Sequence, residues 1–360
     1  MSRAVVAAVL AACVALLALA KGPRVQAWRL LGVPAMEPAF SDTHVLTAAL
    51  DARRAGVDPL FTALPGGVQY NYPRGWLLLR FLGLGDAQRT GLACALALLF
   101  WAAALLVLGK GSAREGLWHT AALSSPVALV AVERGNLDLL IFALVAAAVL
   151  LPGWPRRALL MAGALLKLYP AFAFSLDRRR LWLAAAFLAW VALSWSDLLQ
   201  IAHVTGSSPH FSYGRRVLFD ALSEQLHRPL PAEALSWVLA ALGAAAAALW
   251  SRRLQFTATP AFLAGASIFT GSFLLGSNWN YRLIFLLFTL PQLLGGRREL
   301  VALVLLVLWL PGLPVWFPGA GRVTVPLGLL GTFVLYVWLG ALLFASARIR
   351  RVEAASIMAA

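Results

Sequence analysis

From residue 88 to residue 346 the chain is a succession of apolar runs of roughly 15 to 22 residues, joined by short segments carrying arginine, glycine or proline. At 1.5 Å per residue such runs match about 30 Å of hydrocarbon, where only a helix satisfies its own backbone N–H and C=O groups. Hydrophobic residues make up 61% and charged residues 12% of the 360, with a mean hydropathy of +0.80. That excludes an ordinary soluble domain. The expected class is all-α: a polytopic transmembrane helical protein with about 10–12 membrane segments and no soluble domain.

The expected spans are 4–20, 88–109, 116–132, 136–151, 157–176, 181–199, 234–250, 259–276, 281–295, 299–313 and 324–346. A net charge of +15, from 30 basic and 15 acidic residues, raises the question of nucleic acid. The basic residues instead sit in pairs between spans, as orientation signals do, and form no patch with interleaved aromatics. No nucleic-acid partner is expected; membrane lipids are. Cys13 and Cys94 both lie inside apolar runs, so neither a disulfide framework nor a metal cluster is available. Arg3 followed by an apolar run to Ala20 reads as an uncleaved signal anchor, with cleavage after Ala20 as the alternative.

The joints Lys110/Arg114, Arg156/Arg157, Arg178 to Arg180, Arg252/Arg253, Arg297/Arg298 and Arg348/Arg350/Arg351 belong on the cytoplasmic side. That holds if residues 157–176 enter and leave on one side. Lys167 and Pro170 stand in the middle of this stretch, leaving two arms of about ten residues, or roughly 15 Å. A broken helical hairpin is therefore expected, its tip in a polar cavity. Segments 21–87, 200–233, 277–280 and 314–323 then lie outside.

Residues 42–56 read as an amphipathic helix capped by Ser41, with Val45, Leu46, Ala49 and Leu50 on one face. His44, Thr47, Asp51 and Arg54 form the wet face, and Asp58 before Pro59 is a turn residue. Asp42 stands on the docking side; it either complements the helix N-terminus or enters a polar cavity. The segment after "YNYPRGW" reads as an interfacial helix, with Tyr72 and Trp76 at headgroup level.

The turn "ERGNLD" gathers Glu133, Arg134, Asn136 and Asp138 at the ends of two helices. Each charge at depth costs about 2.5–3.5 kcal/mol on insertion scales, so the group marks either a polar cavity or a locally satisfied turn. Asn278, Asn280 and Arg282 form a second cluster, and the 200–233 loop adds His203, His210, Tyr213, Arg215 and Arg216. No Walker A, GxGxxG, HExxH or GxSxG motif occurs, nor an Asp-x-Asp pair, which argues against ATP-driven transport and nucleotide-sugar chemistry.

The order of an anchor, a loop acid at the head of an amphipathic helix and "YNYPRGW" resembles the first part of the glycosyltransferase C superfamily. "GVDPL", "ERGNLDLLIF" and "LLKLYP" resemble its polyprenol-phosphate-mannose-dependent branch, glycosyltransferase family 87. The likeness covers about residues 1–200 as a transmembrane module with an extracytoplasmic loop at 21–87, leaving 201–360 as variable C-terminal helices. Arg74 departs from it, standing where a second proline is common.

The resemblance implies transfer of a hexose, mannose by analogy, from a polyprenyl-phosphate sugar to an acceptor glycan, glycolipid or protein outside a bacterial cell membrane. It implies Asp42 as catalytic base, Glu133 or Asp138 as a second cavity acid, and Lys167 with Tyr169 near the lipid phosphate. Arg282, Arg134 and Arg216 are the other candidate phosphate-binding groups. Asn136, Tyr72, Asn278, Asn280 and His210 are candidates for substrate binding. An inverting single displacement needs a base and cations for the leaving phosphate, with no cofactor and no obligatory metal. A transporter or lipid-carrier translocase, and a catalytically inactive relative, are the rival readings.

Overall fold

The computed structural model describes residues 24–109, 112–206, 208 and 210–359. The expected anchor at 4–20, Cys13 and Lys110 lie outside the described residues. The chain is mostly helical and divides after Gly206 into two compact units.

The first unit runs α1 (Arg24–Leu30), α2 (Ser41–Arg54), a 3-10 run at Arg74–Leu82, then α3 (Arg89–Leu108). It continues through α4 (Ala113–Leu123), α5 (Pro126–Glu133), α6 (Asp138–Leu150) and α7 (Trp154–Leu166) to a 3-10 run at Tyr169–Leu176, α8 (Arg180–Leu193) and α9 (Trp195–Val204). The 3-10 run Asp86–Gln88 leads directly into α3, giving a 23-residue apolar stretch, Asp86–Leu108, about 35 Å long.

Breaks within the expected spans follow local chemistry. Residues 116–132 form two helices because the Ser125 hydroxyl donates to Ala122 O at 2.7 Å and accepts from Ala128 N at 3.4 Å, closing one helix and capping the next, with Pro126 in its first turn. Residues 181–199 are likewise α8 and α9, bent by 76°. The break expected within 157–176 falls at Lys167, which leaves the helix in an extended conformation (φ −150°, ψ 132°). The 13-residue α7 and the 8-residue 3-10 run beyond it span about 20 Å and about 16 Å, and they pack on each other.

The second unit begins with β1 (Ser212–Tyr213) and continues through α10 (Val217–Leu226), α11 (Ala232–Ser251), α12 (Pro260–Leu274) and β2 (Asn278–Trp279). A 3-10 run at Asn280–Thr289 leads to α13 (Leu290–Leu294), α14 (Arg298–Trp309), α15 (Leu313–Trp316) and α16 (Gly321–Ala359). The expected helix at 281–295 is thus mostly 3-10. β1 and β2 pair antiparallel, Ser212 opposite Trp279 and Tyr213 opposite Asn278. Helices α11 and α16 pack along their length where Gly243 faces Phe333 and Tyr336; a Cβ there would lie 3.0 Å from the Tyr336 ring. The Tyr336 hydroxyl donates to Ala240 O at 3.1 Å across the same seam.

Against the expected ten to twelve segments, four stretches among the described residues are long and apolar enough to cross a membrane: Asp86–Leu108, Ala232–Ser251, Arg298–Trp316 and Gly321–Val352. The bent α8–α9 pair raises this to five. Other apolar helices, such as the 13-residue α6 and 15-residue α12, reach about 20 Å and about 23 Å. Large apolar side chains point outward on several of these helices, including Leu106, Leu188, Leu242, Leu249 and Leu330. Such a surface suits lipid and would be costly in water, in keeping with a membrane-embedded protein.

Candidate functional site

In the first unit the head of α2 docks on the turn between α5 and α6. Arg134 O accepts from Asp42 N at 3.1 Å and Thr43 N at 3.4 Å, and the Thr43 hydroxyl donates to Gly135 O at 2.6 Å. This carbonyl turn supplies the acceptors that the first N–H groups of any helix lack. The expected Ser41 cap is therefore absent: Phe40 precedes the helix in a left-handed conformation without a side-chain cap. Close approach explains Gly135, which has φ +56° and whose hypothetical Cβ would stand 2.3 Å from Thr43 Oγ1.

That docking delivers Asp42 to the "ERGNLD" turn. Asn136 Oδ1 accepts from Asp138 N at 2.7 Å, and its Nδ2 donates to the Asp42 carboxylate. Arg134 Nη1 lies 3.7 Å from Asp42 Oδ1. Asp42 keeps 14% of its side chain exposed, so a small face remains accessible. Burial pushes its carboxyl above the ordinary value; Arg134, Asn136 and Lys167 pull it down without cancelling burial, and Asp138 adds to the rise.

Lys167 reaches the same turn from the end of α7. Its Nζ lies 2.6 Å from Asp138 Oδ1, with the lysine 7% and the aspartate 0% exposed, and 4.8 Å from the centre of the Tyr72 ring. Trp76 Nε1 donates to Leu166 O at 2.9 Å, one of the carbonyls left open at a helix end, and so holds the backbone where Lys167 departs. Tyr72 and Trp76, expected at headgroup level, are instead buried against this hairpin. Their packing partners are 90 or more residues away in sequence, which no local pattern reveals.

Thus Asp42, Arg134, Asn136, Asp138, Lys167 and Tyr72 form one contiguous cluster. Glu133 is buried behind it, accepting from Met36 N at 3.1 Å, and Tyr169 is buried two residues beyond Lys167. In the second unit Arg282 Nη1 donates to Asn278 Oδ1 at 2.5 Å, while Asn280 and His210 line a separate cavity. Arg216 is half exposed and pairs with Asp220 at 3.1 Å.

Sequence reasoning missed several partners. Thr47, assigned to the wet face, is buried, because its hydroxyl and His44 Nδ1 both meet Asp86 Oδ1 at 2.9 Å. Asp58 is more than a turn residue: Arg74 bridges it at 2.8 Å to Asp197 at 2.6 Å. A lone acid within the apolar run 181–199 was the available signal for Asp197. Arg215 is buried, bound to Glu233 at 2.6 Å and stacked 3.8 Å from the Trp237 ring. Among the described residues, no group of three or more His, Cys, Asp or Glu side chains is placed to hold a metal ion.

Chemically the cluster offers a carboxylate oriented by an amide and a guanidinium, with a sequestered ammonium held on Asp138, whose backbone N–H bonds the same amide. It can accept a proton and can present positive charge to an anion that draws Lys167 from Asp138. No known protein family matches this chain, and no curated protein or solved structure matches it either.

Proposed function

We propose that the protein is a membrane glycosyltransferase that moves a hexose from a polyprenyl-phosphate carrier to an acceptor hydroxyl. The observation that carries this reading is the convergence of Asp42 with the Lys167–Asp138 pair through a single residue, Asn136. The resemblance of the first two hundred or so residues to the glycosyltransferase C superfamily supports it.

In this mechanism Asp42 takes the proton of the acceptor hydroxyl as its oxygen bonds to the sugar anomeric carbon. The carbon–oxygen bond to the carrier phosphate breaks on the opposite face, and the configuration inverts. The bond electrons leave with the phosphate, whose charge Arg134 and Lys167 stabilise. Asn136 is a positioning residue that fixes the Asp42 carboxylate. The reading places the chemistry at the extracytoplasmic face of a bacterial cell membrane, with mannose as the favoured hexose. It assigns no cofactor.

The test is purified protein incubated with labelled polyprenyl-phosphate hexoses and envelope extract. Asp42→Asn abolishes transfer while unfolding at the wild-type temperature. Full activity in that variant removes Asp42 as the base.

A further inference from the structure

We propose that the base of the Lys167 hairpin binds the head-group phosphate of an anionic phospholipid. The inference stands apart from the transferase reading, since it uses none of the residues around Asp42. Helix α7 runs about 20 Å from this base to Lys167, so the two places lie at opposite ends of one arm.

Hydrogen bonds bring two groups of arginines, twenty residues apart in sequence, onto one surface. Arg156 Nε donates to Ala148 O at 2.9 Å and its Nη1 to Leu176 O at 3.3 Å, carbonyls left open at the ends of α6 and of the 3-10 run. Arg157 Nε lies 3.3 Å from Asp177 Oδ2, and Asp177 Oδ1 accepts from Arg179 N at 2.7 Å. Arg178 and Arg179 lead into α8, whose first residue is Arg180, and all three are exposed.

Five guanidinium groups therefore stand against one carboxylate, because Asp177 is the only acid between Asp138 and Asp197. Asp177 is 7% exposed and already committed to Arg157 and to a backbone N–H. The carbonyls around Arg156 fix its plane without cancelling its charge. Among the described residues, Arg156, Arg178, Arg179 and Arg180 have no carboxylate partner. Such a concentration of like charge repels itself, and a phosphate both relieves the repulsion and matches the guanidinium fork.

The neighbouring apolar side chains decide for a lipid over a free anion. Trp154 is 75% exposed, and Leu181 and Trp182 are each 78% exposed, flanking the arginines of both segments. Outward indoles and leucine beside arginine suit the head-group boundary, where tryptophan sits at the interface and basic residues meet lipid phosphate. Each arginine near an anionic surface strengthens binding about fivefold. Phosphatidylcholine carries its own cation beside the phosphate and lacks that net charge.

The experiment uses full-length protein in phosphatidylcholine nanodiscs containing a phosphatidylglycerol with a diazirine on its head group. After irradiation, mass spectrometry maps the label to residues 152–158 and 177–183. The same probe built on phosphatidylcholine labels these segments at least tenfold less. Unlabelled phosphatidylglycerol competes, whereas inorganic phosphate and an oligoglutamate peptide do not. Arg178→Gln/Arg179→Gln/Arg180→Gln lowers the labelling at least tenfold. Arg178→Lys/Arg179→Lys/Arg180→Lys keeps it within about threefold, which separates charge from structure. Labelling unchanged in the glutamine variant, equal labelling by the two probes, or displacement by phosphate or the peptide as effective as by phosphatidylglycerol overturns the proposal.

Discussion

Replacing Lys167 with methionine removes the ammonium that lies 2.6 Å from a carboxylate with no solvent exposure. At an effective dielectric constant of about 20, the attraction over that distance is about 6 kcal/mol. Taking both ions out of water costs several kcal/mol each, so the intact pair is worth little more than an uncharged pair of the same shape. Breaking it is different, because Asp138 stays buried while its cation is gone; such losses run about 3–5 kcal/mol, a shift of more than a hundredfold in the folded-to-unfolded ratio. Asp138→Asn leaves Lys167 buried against the Tyr72 face and carries a cost of similar size. The double variant Lys167→Met/Asp138→Asn removes both charges and recovers most of the loss, so that it costs about 1 kcal/mol against singles that sum to about 6–10 kcal/mol, a coupling energy of about 5 kcal/mol or more. Equilibrium unfolding in mixed micelles with increasing sodium dodecyl sulfate, followed by circular dichroism, measures all four corners of the cycle. Single variants within about 1 kcal/mol of wild type, or a double variant equal to the sum of the singles, refute the claim that this pair is desolvated and mutually dependent.

The raised position of the Asp42 carboxyl has a definite sign in a pH profile. If Asp42 is the base, transfer falls as pH drops through a value above the ordinary 3.8, and Arg134→Gln, which removes the nearest cation, moves that limb to higher pH. Between the unfolded and folded values the native state holds more proton, so this group's contribution to stability declines as pH rises and is flat above the folded value. A limb unchanged in Arg134→Gln separates the arginine from Asp42 ionisation. Gly135→Ala forces a side chain into a left-handed position and onto the Thr43 hydroxyl, so it costs about 2–4 kcal/mol and lowers transfer by displacing α2. A melting temperature equal to wild type contradicts that contact.

What could be read from the sequence follows the range of the interactions concerned. Helices α3, α11 and α16 lie where uninterrupted apolar runs predict them, because a run of about twenty such residues has no better local state in lipid. The break at Lys167 was legible from a charge and a proline at mid-run and from Arg-rich joints on both flanks that belong on one side. By contrast, the bend at Ser194 has neither proline nor glycine to announce it, and the 3-10 backbone at Asn280–Thr289 carries the same residue types as a helix. The first-unit cluster was legible as a list of polar residues and illegible as an arrangement. Asp42 was found by its position at the head of α2. Yet its partner Asn136 is fixed by Arg134 O and Gly135 O docking against that helix, contacts that cross about ninety residues of chain. Thr47, Tyr72 and Trp76 were assigned outward for the same reason, since periodicity reports a face and not what later covers it.

Glu133 apart, which accepts from Met36 N behind them, the charges in the cluster sum to zero, and this shapes what the site can do. Asp42 and Asp138 supply two negative charges and Arg134 and Lys167 two positive ones, all close to a single helix–helix turn. A neutral arrangement is the least expensive way to keep four ionisable groups among helices this apolar. For the proposed transfer it also means that the carrier phosphate would have to compete with Asp138 for Lys167 and with Asp42 for Arg134. In the transferase reading that competition couples the two halves of the reaction. Drawing Arg134 toward the phosphate withdraws the cation that holds the Asp42 carboxyl down, and so makes Asp42 a stronger base at the moment the leaving group is engaged. Asn136, bonded at once to Asp42 and to the backbone of Asp138, keeps the carboxylate in place while those charges redistribute.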